Sequence, residues 1–358
     1  PLLESLGSNL YIQDNTNLTS VDLSSLECVD DYTIEGNDLS EEAQYDLLVQ
    51  LTCASEGSLI VFSAEDADEW CDEGETEVEN VYINATGSDT VDLSCIETIT
   101  GYLEIENSNA PILDLSGVIS VDDEVYIHEN DDLESIDLSS LETVDSYVYI
   151  YNNSSLEGVD LSSLSEVSSY FEVANHDHLE PISLDSLETV SGEFYLYQND
   201  GWTDVELPLL EEVGGAFRIS DHNSTGVERI YAPGLSAVGD NVYIDWNYQL
   251  EEVDLSALTE VGGQVYFYYN TSLETLLMSS LEEVNSSFQI NYANDLETLD
   301  LDSLVEISGS MTVSNNSSLE SIYAPLLESL GSNLYIQDNT NLTSVDLSSL
   351  YCVNDYTI

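Results

Sequence analysis

Residues 141–163 read LETVDSYVYIYNNSSLEGVDLSS, and the fold is decided in this stretch. Leu141 and Val144 open it. Val148 and Ile150 then alternate with Tyr149 and Tyr151, the period of two expected of a strand with one face buried. Asn153 turns the chain, a residue suited to a sharp corner because it tolerates left-handed backbone and can bond its own main chain. Leu156 points inward, Val159 and Leu161 make a second short strand, and Ser162-Ser163 end the passage. Apolar residues at helical spacing are lacking, so the segment reads as short strands joined by corners.

The pattern returns. Leu141, Leu164, Leu187 and Leu210 are 23 residues apart, and after one step of 25 the spacing resumes through Leu235, Leu258, Leu281, Leu304, Leu327 and Leu350. Asn recurs at the turn in Asn15, Asn130, Asn153, Asn199, Asn247, Asn270, Asn316 and Asn339. A rung of this size cannot bury its apolar side chains alone and must stack on its neighbours. The expected fold is all-β, a right-handed β-solenoid with 23-residue rungs and a ladder of asparagines at one corner. With rungs about 4.8 Å apart, a dozen give a rod of about 60 Å.

A longer period surrounds the short one. Residues 1–34 return as 325–358 with two changes, Glu27 to Tyr351 and Asp30 to Asn354. A unit of 324 residues is therefore expected in tandem, within a polypeptide longer than this one. Residues 1–37 read as the last rungs of a preceding unit, 38–77 as a cap, and 78–358 as an acidic solenoid. Ser40, Glu41 and Glu42 make a helix start, with Ala43, Leu47, Leu48 and Leu51 on one face. An end cap is required because an open solenoid exposes apolar surface and unpaired strand edges. The stretch 63–79, SAEDADEWCDEGETEVE, reads as a solvated acidic connection.

Composition narrows the function. Seventy-two acidic residues face two arginines, for a net charge of −70. No basic surface exists to displace counterions from nucleic acid or to meet an anionic membrane. Disorder, the other reading of high charge, fails because 42% of the residues are apolar and fall in strict rhythm. Cys28, Cys53, Cys71 and Cys95 bracket the cap region, and Cys352 copies Cys28, with its partner expected past residue 358. Four per unit fits two disulfides and an oxidising compartment. Three connectivities are open, with Cys28 to Cys53 and Cys71 to Cys95 favoured. A metal-thiolate site is disfavoured by the lack of a CxxC pair.

The motifs at 187–199, LETVSGEFYLYQN, and 304–316, LVEISGSMTVSNN, resemble the receptor L domain, the leucine-rich-repeat-like family found in the insulin and epidermal growth factor receptors. The style is similar to that of fungal-type cell-wall surface proteins. The resemblance covers most of 78–358 and 1–37 and rests on core and turn positions. It implies an extracellular, non-enzymatic protein. The longer stack and missing cysteine-rich module do not imply a hormone receptor.

Candidate contact residues form an outward aromatic belt. Tyr126 and Tyr149 share one register position, as do Tyr195, Arg218, Tyr243 and Tyr266, which sets Arg218 between two rings. Tyr147, Tyr151, Tyr197, Trp246, Tyr268, Tyr269 and Tyr292 flank them. High β-propensity explains tyrosine in strands without any ligand, whereas exposed aromatics also mark binding faces for a protomer or a glycan. Carboxylates align as well: Glu134, Glu157 and Glu180; Glu251, Glu274, Glu297 and Glu320; Asp137 and Asp160; Glu188 and Glu211. Counterions, whether concentrated salt or Ca²⁺, are the expected cofactors, with no metal ligands named. His176-Asp-His178 reads as a solvated corner, and His128 and His222 as isolated. Glycosylation sequons stand at Asn17, Asn84, Asn152, Asn153, Asn223, Asn270, Asn285, Asn315, Asn316 and Asn341. No catalytic arrangement is seen. The expected function is a structural repeat protein of a filament, sheath or surface layer; the alternative is an adhesin that uses the belt.

Overall fold

A computed structural model describes residues 10–13, 18, 21, 32–35, 58–85, 87, 89–199, 201–220, 226–351 and 353–357. The helix expected from Ser40, together with Cys28, Cys53, Cys352, Asn15, Asn17, Asn223 and His222, lies outside the described residues.

Each rung has three strands where the sequence suggests two. In the rung quoted above they are Thr143–Val144, Val148–Tyr151 and Gly158–Asp160. Each pairs in parallel with its counterpart one rung away: Ser120 with Thr143, Val125 with Val148, Ser135 with Gly158. The result is a parallel β-solenoid of about 13 turns with rungs of about 23 residues. Among the described residues the long face is a 14-stranded sheet, the first face a 12-stranded one, and the third face is divided into patches of four, four and three strands. Fourteen strands at about 4.8 Å spacing span about 60 Å. Two-residue strands such as Thr143–Val144 escape sequence reading because they are too short to show alternation.

The core runs down the axis. Leu141, Val144, Val148, Ile150, Leu156, Leu161 and Leu164 are fully buried, and the set recurs along the stack until the last rung, where Leu342, Val345, Leu347 and Leu350 are partly buried. Burial of one such side chain contributes about 1.5–3 kcal/mol, but only when rungs above and below supply the contacts. Phe171, Phe194 and Phe217 stack inside the long face, with ring centroids 5.3 and 5.4 Å apart.

The asparagine ladder is present and works through its amides. Asn153 Nδ2 donates to Ile127 O at 3.0 Å, Asn270 Nδ2 to Ile244 O at 2.7 Å and Asn316 Nδ2 to Ile290 O at 3.1 Å. Their Oδ1 atoms accept from the main chain of the adjacent rung: Asn130 N to Asn153, Asn247 N to Asn270, Ala293 N to Asn316. The left-handed residue is not the ladder Asn, as the sequence suggests, but its predecessor. Asn152, Trp246, Tyr269, Tyr292 and Asn315 have φ between 54 and 61°.

The stack begins earlier than residue 78. Leu59–Val61 pairs with Val81–Ile83 as the first strand of the long face. Between them lies a helix, Ala64–Glu73, in the stretch expected to be a solvated connection. Ser63 caps it: its Oγ accepts from Asp66 N, and the Asp66 carboxylate accepts from the Ser63 and Phe62 main-chain N–H groups. Ala67 is buried and Trp70 packs against the core. Cys71 and Cys95 are joined in a disulfide, half of the favoured pairing. Separately, Leu10–Gln13 pairs with Tyr32–Glu35.

Candidate functional site: the aromatic and acidic long face

Alternation along the long-face strands sends every second side chain outward. In register, Tyr126 faces Tyr149, Tyr195 faces Arg218, Arg218 faces Tyr243, and Tyr243 faces Tyr266. Three groups result. In the first, Tyr126, Tyr147, Tyr149 and Tyr170 line a shallow groove of about 230 Å³. Tyr149 stacks on Tyr151 at 5.4 Å and on Tyr170 at 6.4 Å. In the second, the Arg218 guanidinium lies 4.7 Å from the Tyr195 ring and 5.8 Å from that of Tyr243, with Tyr197 beside Tyr195 at 5.7 Å. The third is the densest. Trp246 stacks on Tyr269 at 4.5 Å and Tyr269 on Tyr292 at 4.4 Å, while Tyr268 meets all three edge-on and stacks on Tyr266. Tyr170 and Tyr248 also belong to these groups, although the sequence reading did not single them out.

The three stacked residues also have left-handed backbone, at φ 61, 58 and 60°. Left-handed backbone costs an L-residue about 1–2 kcal/mol. Bulky side chains rarely accept it, so three on successive rungs form a strained aromatic edge.

Burial beside this belt alters its acids. Glu172 and Glu193 are held above the ordinary carboxylate range, in both cases mainly by desolvation, with Arg218 opposing. Glu124 is pushed up to about 7 by burial and by its neighbour Asp123. Tyr102, Tyr147, Tyr149 and Tyr195 are pushed up to about 12, chiefly by burial.

Three histidine and glycan expectations change. His176 is not a solvated corner: it is fully buried in the ladder, its Nδ1 3.0 Å from Asn199 Oδ1 and its Nε2 3.3 Å from Asn153 Nδ2. It fills an asparagine position because an imidazole reaches both neighbours; His178 alone is exposed. His128 is not isolated either: its Nε2 lies 3.7 Å from Glu104 and 3.7 Å from Glu106. Those glutamates escaped notice because one rung separates them from His128 in sequence. Finally, Asn153, Asn270 and Asn316 are fully buried with their Nδ2 atoms bonded, which removes them as glycan acceptors in the folded chain. Asn285 and Asn341 are exposed, and Asn84 half-buried.

The carboxylate columns stand on adjacent rungs. Glu157 N bonds Glu134 O, Glu180 N bonds Glu157 O, Glu274 N bonds Glu251 O, Glu320 N bonds Glu297 O and Glu211 N bonds Glu188 O. All of these side chains are exposed. Asp137 and Asp160 are different, because each Oδ1 accepts from Ser139 N or Ser162 N and so shapes its own turn. Arg229 pairs with Asp204 and Glu206.

No protein-family model matches the chain, and no curated protein matches it. Among solved structures, the chain aligns with one described as "Crystal structure of TLR13-ssRNA13 complex", at 11% identity over 94% of this chain and 73% of that one. The TM-score is 0.16, at which the alignment carries no argument about this chain.

Proposed function

We propose that this chain is an extracellular, non-enzymatic structural protein whose tandem acidic solenoid units form or decorate a filament, sheath or surface layer. One observation carries the reading. Leu10–Gln13 pairs with Tyr32–Glu35 just as Leu334–Gln337 pairs with Tyr356–Thr357, in the same register 324 residues later. A copied sequence that repeats its strand pairing is what a string of equivalent units requires. The Cys71–Cys95 disulfide is compatible with an oxidising, extracellular setting. Kinship with the receptor L domain and a fungal-type cell-wall setting are part of this proposal. Negative-stain imaging of native material tests it: long regular fibres or sheets support the reading, and isolated rods overturn it.

The strained aromatic edge favours a second reading, an adhesin that binds glycan or protein. Stacked rings on a rigid scaffold suit the flat face of a sugar or an extended chain. Glycan-array binding lost on Trp246→Ala and on the Tyr266→Ala/Tyr268→Ala pair supports this reading. No binding by the parent protein removes it.

A further inference from the structure

The strand Leu103–Glu106 turns Glu104 and Glu106 outward, two residues apart. In the next strand, Val125–His128, the partner of Glu106 is His128 and the partner of Glu104 is Tyr126. Three side chains thereby converge on one point of the long face, and one ligand atom from each lies within 4.8 Å of the others. No hydrogen bond among the three explains the convergence, and the two histidine–glutamate contacts are long for ion pairs. His128 Nε2 stands 3.7 Å from Glu104 Oε1 and 3.7 Å from Glu106 Oε2, beyond hydrogen-bond reach. That nitrogen is nevertheless shut off from solvent and has no hydrogen-bond partner. A buried, unpaired imidazole nitrogen costs free energy comparable to a lost hydrogen bond.

The surroundings hold the three groups in place. The Tyr126 ring stacks on the His128 imidazole at 4.0 Å. Tyr82 donates its hydroxyl hydrogen to Glu106 Oε1, which leaves Oε2 facing the histidine. A cation placed among the three atoms would give the unpartnered His128 Nε2 its missing partner and neutralise the two facing carboxylates.

We propose that Glu104 Oε1, Glu106 Oε2 and His128 Nε2 bind one divalent first-row transition-metal ion of the zinc class. The ligand set selects the class. One imidazole with two carboxylates suits such ions, whereas Ca²⁺ and Mg²⁺ prefer all-oxygen shells. Bond lengths of about 2.0–2.2 Å bring ligand atoms to within about 3–3.5 Å of one another, a few tenths of an ångström closer than the glutamate-to-histidine distances found. The Glu104 and Glu106 side chains are 28 and 23% accessible, so the cluster is open on its carboxylate side, where an ion can enter and water can complete its shell.

Isothermal titration of the full chain with ZnCl₂, in excess CaCl₂ to occupy the exposed acids, tests the site. One saturable ion per chain is expected, with affinity falling about tenfold or more in His128→Gln, since even outer partners of metal ligands carry tenfold or more. Glu104→Gln is expected to act alike and covers the case in which His128→Gln disturbs its rung. Glu251→Gln/Glu274→Gln removes two acids elsewhere and is expected to leave the affinity unchanged. The proposal is overturned if no saturable binding rises above the calcium background. It is equally overturned if both site variants bind as the parent does.

Discussion

At the residue scale the solenoid depends on single side chains that close main-chain bonds across rungs. Asn270 is the simplest case, since its amide donates to Ile244 O and accepts from Asn247 N in a dry corner. Asn270→Ala orphans both main-chain groups and is expected to cost about 2–4 kcal/mol. Asn285→Ala, at an exposed site, is expected to change stability by less than about 0.5 kcal/mol; urea unfolding of the two variants decides the matter. His176 makes the same ladder pH-dependent. Desolvation lowers its folded pKa from 6.5 to about 4, so the unfolded chain binds the proton more readily between those values. Its contribution is complete above pH 6.5 and is lost as pH falls toward 4, by roughly 3 kcal/mol in all. Glu124 acts in the opposite sense, because its raised pKa of about 7 gives a contribution present at low pH and lost as pH rises through 7. The stability difference between parent and His176→Asn, measured from pH 7.5 down to 4.5, isolates the histidine. It is expected to shift steadily in favour of the variant on acidification, and a constant difference refutes the assignment.

At the element scale the rung and the Cys71–Cys95 disulfide of the cap were legible, and the helix Ala64–Glu73 was not. Val148, Ile150 and Leu156 declare the rung because their positions recur at fixed spacing, and repetition makes a weak local pattern decisive. The 2-residue strand Thr143–Val144 has no such pattern of its own and emerges only when rungs are laid in register. The helix Ala64–Glu73 was hidden by its acidity, although Ser63 and Asp66 spell out a capping box. The belt was legible because its tyrosines share one register position. The Glu104, Glu106 and His128 cluster was not, since a histidine 22 residues beyond its partner shows no motif until strand pairing is known. The cap makes its own prediction. The disulfide closes a loop over a separation of 24 residues, which corresponds to about 3.5 kcal/mol in the chain-entropy account. Each rung leans only on its neighbours, so the loss on Cys71→Ser/Cys95→Ser is expected to be local. Hydrogen exchange should accelerate around Leu59–Val61 and Val81–Ile83 and remain slow near Val265–Tyr268. Uniform acceleration along the rod overturns that view of the cap.

At the scale of the whole molecule, charge opposes assembly of the rod. Stacking places the Glu134, Glu157 and Glu180 carboxylates on successive rungs, and does the same for Glu260, Glu283 and Glu306 on the first face. Neighbouring charges about 5 Å apart repel by about 0.8 kcal/mol even at the dielectric of bulk water. With a net charge of −70 and two arginines, the chain holds almost no cations of its own to set against this. Arg218 is committed to Tyr195 and Tyr243, and Arg229 to Asp204 and Glu206. Solution ions must therefore supply the balance. The Debye length shortens from about 30 Å at 0.01 M salt to about 3 Å at 1 M, less than the spacing between rungs. NaCl is thus expected to raise the melting temperature steadily across that range. CaCl₂ at equal ionic strength separates two modes of neutralisation. If it merely matches NaCl, the columns are screened as a continuous charge; a larger rise means that Ca²⁺ bridges carboxylates on neighbouring rungs. A melting temperature indifferent to both salts would show that the stacked carboxylates do not govern stability. The core and the ladder would then carry the rod against its own charge unaided.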